Sequence, residues 1–93
     1  MKTITSFDLD FSDLSATGER RNFAISGDKG AEFRLEIKDL DTGKYYNFVT
    51  NVFETGISFL QEIITTKTYY GNITFPAVTG SDDQYDIFLL SLI

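Results

Sequence analysis

Ninety-three residues with a net charge of −6 and neither cysteine nor histidine exclude more chemistry than they suggest. Disulfides, thiolate or imidazole zinc sites, cysteine nucleophiles and Ser-His-Asp triads lack their central groups, and fourteen acids against eight bases repel duplex nucleic acid and anionic membrane at long range. Carboxylates, lysine and tyrosine remain, in a chain with little room for both a core and a deep pocket, so no catalytic, cofactor-binding or metal-ligating residue is expected and the chain reads as a non-enzyme.

The apolar content of 42%, with nine Phe and five Tyr, rules out a disordered chain and predicts one domain with an aromatic-rich core. No run approaches the roughly 18 apolar residues of a membrane span, and the Met1-Lys2-Thr3 start leads into an acidic segment unlike a signal peptide. Synthesis inside the cell is the expectation.

From the N-terminus, residues 3–10 alternate imperfectly and predict an edge strand. Asn22 to Ser26 predicts a short strand closed by GDKG at 27–30, which reads as a hairpin turn. AEFRLEIK at 31–38 is the clearest strand: Phe33, Leu35 and Ile37 alternate with Glu32, Arg34, Glu36 and Lys38, giving one buried and one wet face. In DLDTGK at 39–44 an aspartate can bond its own backbone and Gly43 can take positive φ, so residues 45–50 should return as an antiparallel partner. Phe53, Ile57, Leu60, Ile63 and Ile64 fall near helical spacing, but Ile63-Ile-Thr-Thr66 is β-branched, which favours a strand over 60–66 after an irregular link or one helical turn at 54–58. Residues 69–75 read as the next strand. Gly71 within it predicts a bulge or a close neighbour, and Pro76, lacking a ladder donor, ends it near Phe75. Strands recurring every ten to fifteen residues with turns between them indicate a β-sandwich and not βαβ units.

Val78, Thr79, Asp82, Asp83 and Tyr85, with Ile87 two residues later, resemble the corner of immunoglobulin-like domains that joins strands E and F. That resemblance implies that Tyr85 donates its hydroxyl to backbone near 78–81 and that Ile87 occupies the position of an antibody cysteine. Leu35, taken as lying on the second strand, would be its apolar counterpart, and Tyr46 or Phe48 would fill the space of the family's missing tryptophan. Residues 87–93 then form a central strand, apolar on both faces. A closing strand would come from residues 3–10, from another chain or from sequence beyond Ile93.

A second resemblance covers residues 7 to 90. FDLDFSDL at 7–14, GDKGAEFRLEI at 27–37, YYNFVT at 45–50, ITFPAV at 73–78 and DDQYDI at 82–87 are similar to the N-terminal part of virion structural proteins of large tailed phages, especially those of marine cyanobacteria. It implies a single non-enzymatic domain over 1–93, at the amino end of a longer neck, tail or capsid-surface protein. Its partners would be other virion proteins and copies of itself, in a homo-oligomer.

Three local patterns carry weaker readings. Asp8 to Glu19 places oxygen ligands at positions one, three, five and twelve of a calcium loop, but Asp13 stands where the sharp turn needs Gly and no helices flank it, so a solvated acidic edge is preferred. The GDKG turn lacks the spacing and the following helix of a phosphate cradle. Tyr45, Tyr46, Tyr69 and Tyr70 could stack on sugars, although strand neighbours point to opposite faces and only one of each pair can be exposed together. The resulting expectation is an all-β, immunoglobulin-like antiparallel sandwich of six or seven strands, acting as a structural and interaction module of a phage virion, without cofactors, nucleic acid or membrane. A carbohydrate-binding module using exposed Tyr residues is the alternative.

Overall fold

The computed structural model describes residues 2–9, 19–76 and 85–92. They form eight antiparallel strands: β1 (Ile4–Leu9), β2 (Glu19–Gly27), β3 (Glu32–Asp39), β4 (Tyr45–Asn47), β5 (Val52–Glu54), β6 (Leu60–Ile63), β7 (Thr68–Phe75) and β8 (Tyr85–Leu92). No helix occurs among the described residues, so the near-helical spacing at 53–64 is incidental. One sheet has the order β1-β2-β7, and the other runs β5-β4-β3-β6 with β8 on the remaining side of β3. The two pack face to face as a β-sandwich.

Strand β3 sets the pattern. Its period of two buries Phe33, Leu35 and Ile37 completely and leaves Glu32, Arg34, Glu36 and Lys38 on the outer face at intermediate exposure. Opposite it, Phe23 and Ile25 of β2 and Ile73 and Phe75 of β7 are buried from the other sheet. Phe33 meets Tyr69 edge-on across the sandwich at 5.3 Å, and Phe75 meets Tyr85 at 4.8 Å, so aromatic pairs tie the layers at both ends. Tyr46 adds a polar tie: its hydroxyl donates to Asn51 Oδ1 at 3.3 Å and accepts the Thr74 N–H of β7 at 3.1 Å. A fully buried phenol thus has both of its hydrogen-bonding roles filled.

The turn at 39–44 forms as its residues predict, with Asp39 Oδ1 accepting the Asp41 N–H at 3.0 Å and Gly43 at φ 74. Lys38 then faces Tyr45 in the β3–β4 pair. Strand β4 stops at Asn47, earlier than the sequence pattern suggests, because the Asn47 side chain accepts the Val49 and Thr50 N–H groups and folds the chain back through Asn51 at φ 63. The return strand β5 takes residues read from sequence as the approach to an irregular link, which raises the count from six or seven to eight. Strand β6 is shorter than the expected 60–66, since after Ile63 the chain turns Ile64 into the core.

Two expectations drawn from the immunoglobulin corner need correction. Leu35 lies on β3, the third strand, and shares a sheet with Ile87; Leu35 stands opposite Leu89 and Ile37 opposite Ile87. The sequence assignment was one strand out of step because the segment at 27–30 is not a hairpin turn: β2 and β3 belong to different sheets, and the GDKG segment carries the chain across, with Gly30 at φ 90 and its N–H on Ile64 O at 2.7 Å. With that shift made, the connectivity follows immunoglobulin order, β1-β2-β7 standing as A-B-E and β8-β3-β4-β5 as F-C-C′-C″. Strand β6, in the place of strand D, departs from that order by pairing with β3 and not with β7.

The second correction concerns β8. Read from sequence as central, it stands at the edge of the sheet among the described residues, where its ladder runs to β3 alone, unbroken from Asp39↔Tyr85 to Glu32↔Leu92. Of the segment 3–10 expected to close it, the described residues 3–9 do not, because β1 lies at the edge of the opposite sheet. The backbone proposed to accept the Tyr85 hydroxyl, 78–81, and most of the calcium-like segment, 10–18, lie outside the described residues. Among those described, no acceptor reaches the buried Tyr85 hydroxyl.

Gly71 has a close neighbour and no bulge, since the β2–β7 register is continuous and sets Phe23 directly opposite it. The Phe23 ring lies over the glycine backbone, filling the space a side chain would need.

Candidate interaction surface

The outer face of the larger sheet is striped. Its middle stripe is the β3 series Glu32, Arg34, Glu36 and Lys38, and the pairing places Ile63 and Gln61 beside it on β6, with Leu92, Leu90, Phe88 and Asp86 beside it on β8. The charges are held by neighbours. The Arg34 guanidinium stacks over the Phe59 ring at 3.7 Å and reaches Glu36 Oε1 at 3.4 Å, and Gln61 Nε2 donates to Glu32 Oε2 at 3.0 Å. Flanking them, Phe88 is 51% and Leu90 40% exposed, and Phe59 and Ile63 are exposed on the other flank. A charged ridge between two apolar stripes is an unusual use of a face that normally meets water with polar side chains alone.

Strand β8 also differs from the other sheet edges. Strand β1 is interrupted by a register shift between Ile4 and Ser6, a common way to blunt an edge, and carries Ser6 and Asp8 outward. The outward residues of β7 are Thr68, Tyr70, Asn72 and Thr74, and the Thr74 N–H is already taken by Tyr46. Strands β5 and β6 are only three and four residues long. Strand β8 offers eight residues in regular ladder with Asp86 as the single charge. Its inward residues Tyr85, Ile87 and Leu89 pack on the core, and among the described residues no strand lies along its far edge.

At the inner end of β8 the Tyr85 hydroxyl is pushed up to about 12 in pKa, first by burial and then by the carboxylates of Asp39 and Asp41. Tyr69 is raised in the same way, by burial and by Glu62. Both phenols are therefore neutral near neutral pH.

The four tyrosines singled out in the sequence do not make one platform. Tyr46 is wholly buried; Tyr69 packs on Phe23 and Phe33; Tyr45 lies on the outer face of the larger sheet near Lys38; and Tyr70, 77% exposed, stands on the outer face of the smaller sheet. Tyr70 borders an open depression of about 670 Å³ that Asp8, Asn22 and Ala24 also line. Arg20 and Arg21, the adjacent bases, form no basic patch either, since Arg20 is exposed and Arg21 is buried on the inner side of β2. The groups of three or more acidic side chains that could hold a metal ion are absent among the described residues.

Phe59 was not legible as part of this surface. It sits in a coil segment with no period, and only the fold brings its ring beneath Arg34. No family model matches the chain, and neither a curated protein nor a solved structure does.

Proposed function

We propose that the domain is a non-enzymatic structural and interaction module of a tailed-phage virion, in its neck, tail or capsid surface, made in the host cytoplasm and joined to other virion proteins and to copies of itself. The observation that carries the interaction role is that, among the described residues, β8 pairs with β3 alone, with Phe88 and Leu90 exposed beside its other edge. Exposed apolar residues next to unpaired ladder groups favour association, and a protein kept without a partner there would tend to aggregate. The virion assignment rests on the resemblance of the phrases spread over residues 7–90. A net charge of −6 further supports protein partners over nucleic acid or membrane. The test is mass spectrometry of purified particles from a phage encoding this chain. Its peptides should be recovered at a copy number matching a repeated virion part, and their absence from particles would reject the assignment.

A second reading, a carbohydrate-binding module, is favoured by one observation. The exposed Tyr70 ring beside Asp8 and Asn22 offers a stacking face with hydrogen-bonding groups at its rim. A glycan array decides it: signal lost in Tyr70→Ala supports attachment to polysaccharide, and no signal removes it.

A further inference from the structure

We infer that β8 pairs antiparallel with β8 of a second copy about a two-fold axis at Leu89, joining the two larger sheets into one continuous sheet. The inference rests on the reading of this edge as an assembly surface and adds the partner and the register. Directly opposed residues in an antiparallel pair point to the same face, so only axes passing through a residue keep the core side and the outer side of both copies aligned. The axis at Leu89 sets Phe88 against Leu90 of the second copy and Leu90 against its Phe88, so each exposed apolar residue covers another.

The charges on β3 choose among the registers. Because Arg34 stands opposite Leu90 and Glu36 opposite Phe88, the axis at Leu89 puts Arg34 in line with Glu36 of the second copy, and by symmetry Glu36 with its Arg34. The same axis aligns Glu32 with Lys38 and Lys38 with Glu32, so all four rows join opposite signs. An axis at Phe88 would instead align Glu36 with Glu36 and Arg34 with Lys38, and one at Leu90 would align Arg34 with Arg34 and Glu36 with Glu32. Shifting it to Ile87 leaves Leu90 with no opposite residue in β8, and shifting it to Ser91 does the same to Phe88. The aligned charges lie about 14 Å apart, three strand spacings, which is beyond the Debye length of about 10 Å in 0.1 M salt. At that salt they are largely screened and bias the register only weakly, more strongly at low ionic strength, while the Phe88–Leu90 contacts and the new backbone ladder supply the association. An interface this narrow is a weak dimer, strengthened when many copies are held close together.

A chain without cysteine makes the register measurable. Phe88→Cys and Leu90→Cys both change exposed residues and leave the core intact. Opposed Cα atoms at about 4.5–5.5 Å suit a disulfide, whereas residues offset by two positions lie too far apart. On oxidation of a mixture, the Phe88→Cys chain should join the Leu90→Cys chain severalfold more than it joins its own kind. Sedimentation equilibrium of the unmodified protein from about 10 µM to 1 mM should show a monomer–dimer equilibrium, abolished by Leu90→Lys with the melting temperature of the monomer retained. Preferential joining of like chains, or a dimer indifferent to Leu90→Lys, overturns the inference. A strict monomer at 1 mM also overturns it, and if the chain is nonetheless found in particles, the proposed function stands with a different partner on this edge. Absence from particles would instead count against the function whatever the oligomeric state.

Discussion

Gly71→Ala should destabilise the domain even though alanine is the better residue in an ordinary strand interior. A Cβ placed on Gly71 would lie 2.6 Å from Cε2 and 3.1 Å from Cε1 of Phe23, and closer still to its Cζ. The ring has little room to retreat, being buried and packed against Phe7 and Tyr69 at 6.2 Å each. Relieving the overlap by shifting a packed ring costs about 1–3 kcal/mol, against which the lower chain entropy of alanine returns roughly 0.5–1 kcal/mol. The net loss is centred on about 1 kcal/mol, within roughly 0–2.5 kcal/mol, and for a domain of this size each kcal/mol lowers Tm by roughly 4–8 °C. Thermal unfolding followed by circular dichroism measures it. In a Phe23→Leu background, where the outer ring atoms are gone, Gly71→Ala should cost markedly less, and that non-additivity isolates the contact. If Gly71→Ala melts at or above the parent, or costs the same in both backgrounds, the ring does not lie over the glycine and the β2–β7 register is wrong.

Leu35→Ala, at a fully buried site, should cost about 2–5 kcal/mol, while Glu36→Ala on the outer face should change stability by less than about 0.5 kcal/mol; equal effects in denaturant unfolding would reject the inward–outward assignment of β3. Tyr46→Phe removes the acceptor of the Thr74 N–H and the donor to Asn51, and should lose about 1–2 kcal/mol with the fold retained, read from the urea midpoint at constant m-value. Tyr85 is a neutral acid whose folded pKa is raised from 10.0 to about 12, so the unfolded chain releases this proton first. Stability from this group is therefore intact below pH 10 and falls as pH rises towards 12, and Tyr85→Phe should flatten that part of the alkaline unfolding profile. An unchanged alkaline slope in Tyr85→Phe would show that the phenol ionises freely in the folded state.

The period-two strands were legible because one face of each meets the core and the other water: β3 shows this in Phe33, Leu35 and Ile37, and the 39–44 turn shows it in the chemistry of Asp39 and Gly43. What was not legible is which strands share a sheet. A tight connection such as GDKG can either reverse a strand within a sheet or carry it to the opposite one, and local residue chemistry is the same in both cases. That ambiguity moved Leu35 onto the wrong strand of the immunoglobulin order, while β8 read as central because the Tyr85 corner and apolar residues on both of its faces suggested it. The apolar alternation of Phe88 and Leu90 was visible in the sequence, but alternation cannot distinguish a second buried face from an exposed one. The tyrosines illustrate the same limit: adjacent pairs had to split between faces, yet only the fold shows Tyr45 and Tyr70 on opposite sides of the sandwich.

Residue-resolved amide hydrogen exchange of β8 as a function of protein concentration tests the open edge most directly. In a strand paired on one side alone, the amides bonded to β3 should be protected at low concentration while the alternate amides, facing away, exchange freely. Raising the concentration should slow exchange of that second set and leave the first unchanged. Full protection of both sets in dilute solution would show that the chain itself covers the edge, and would contradict its role as an assembly surface.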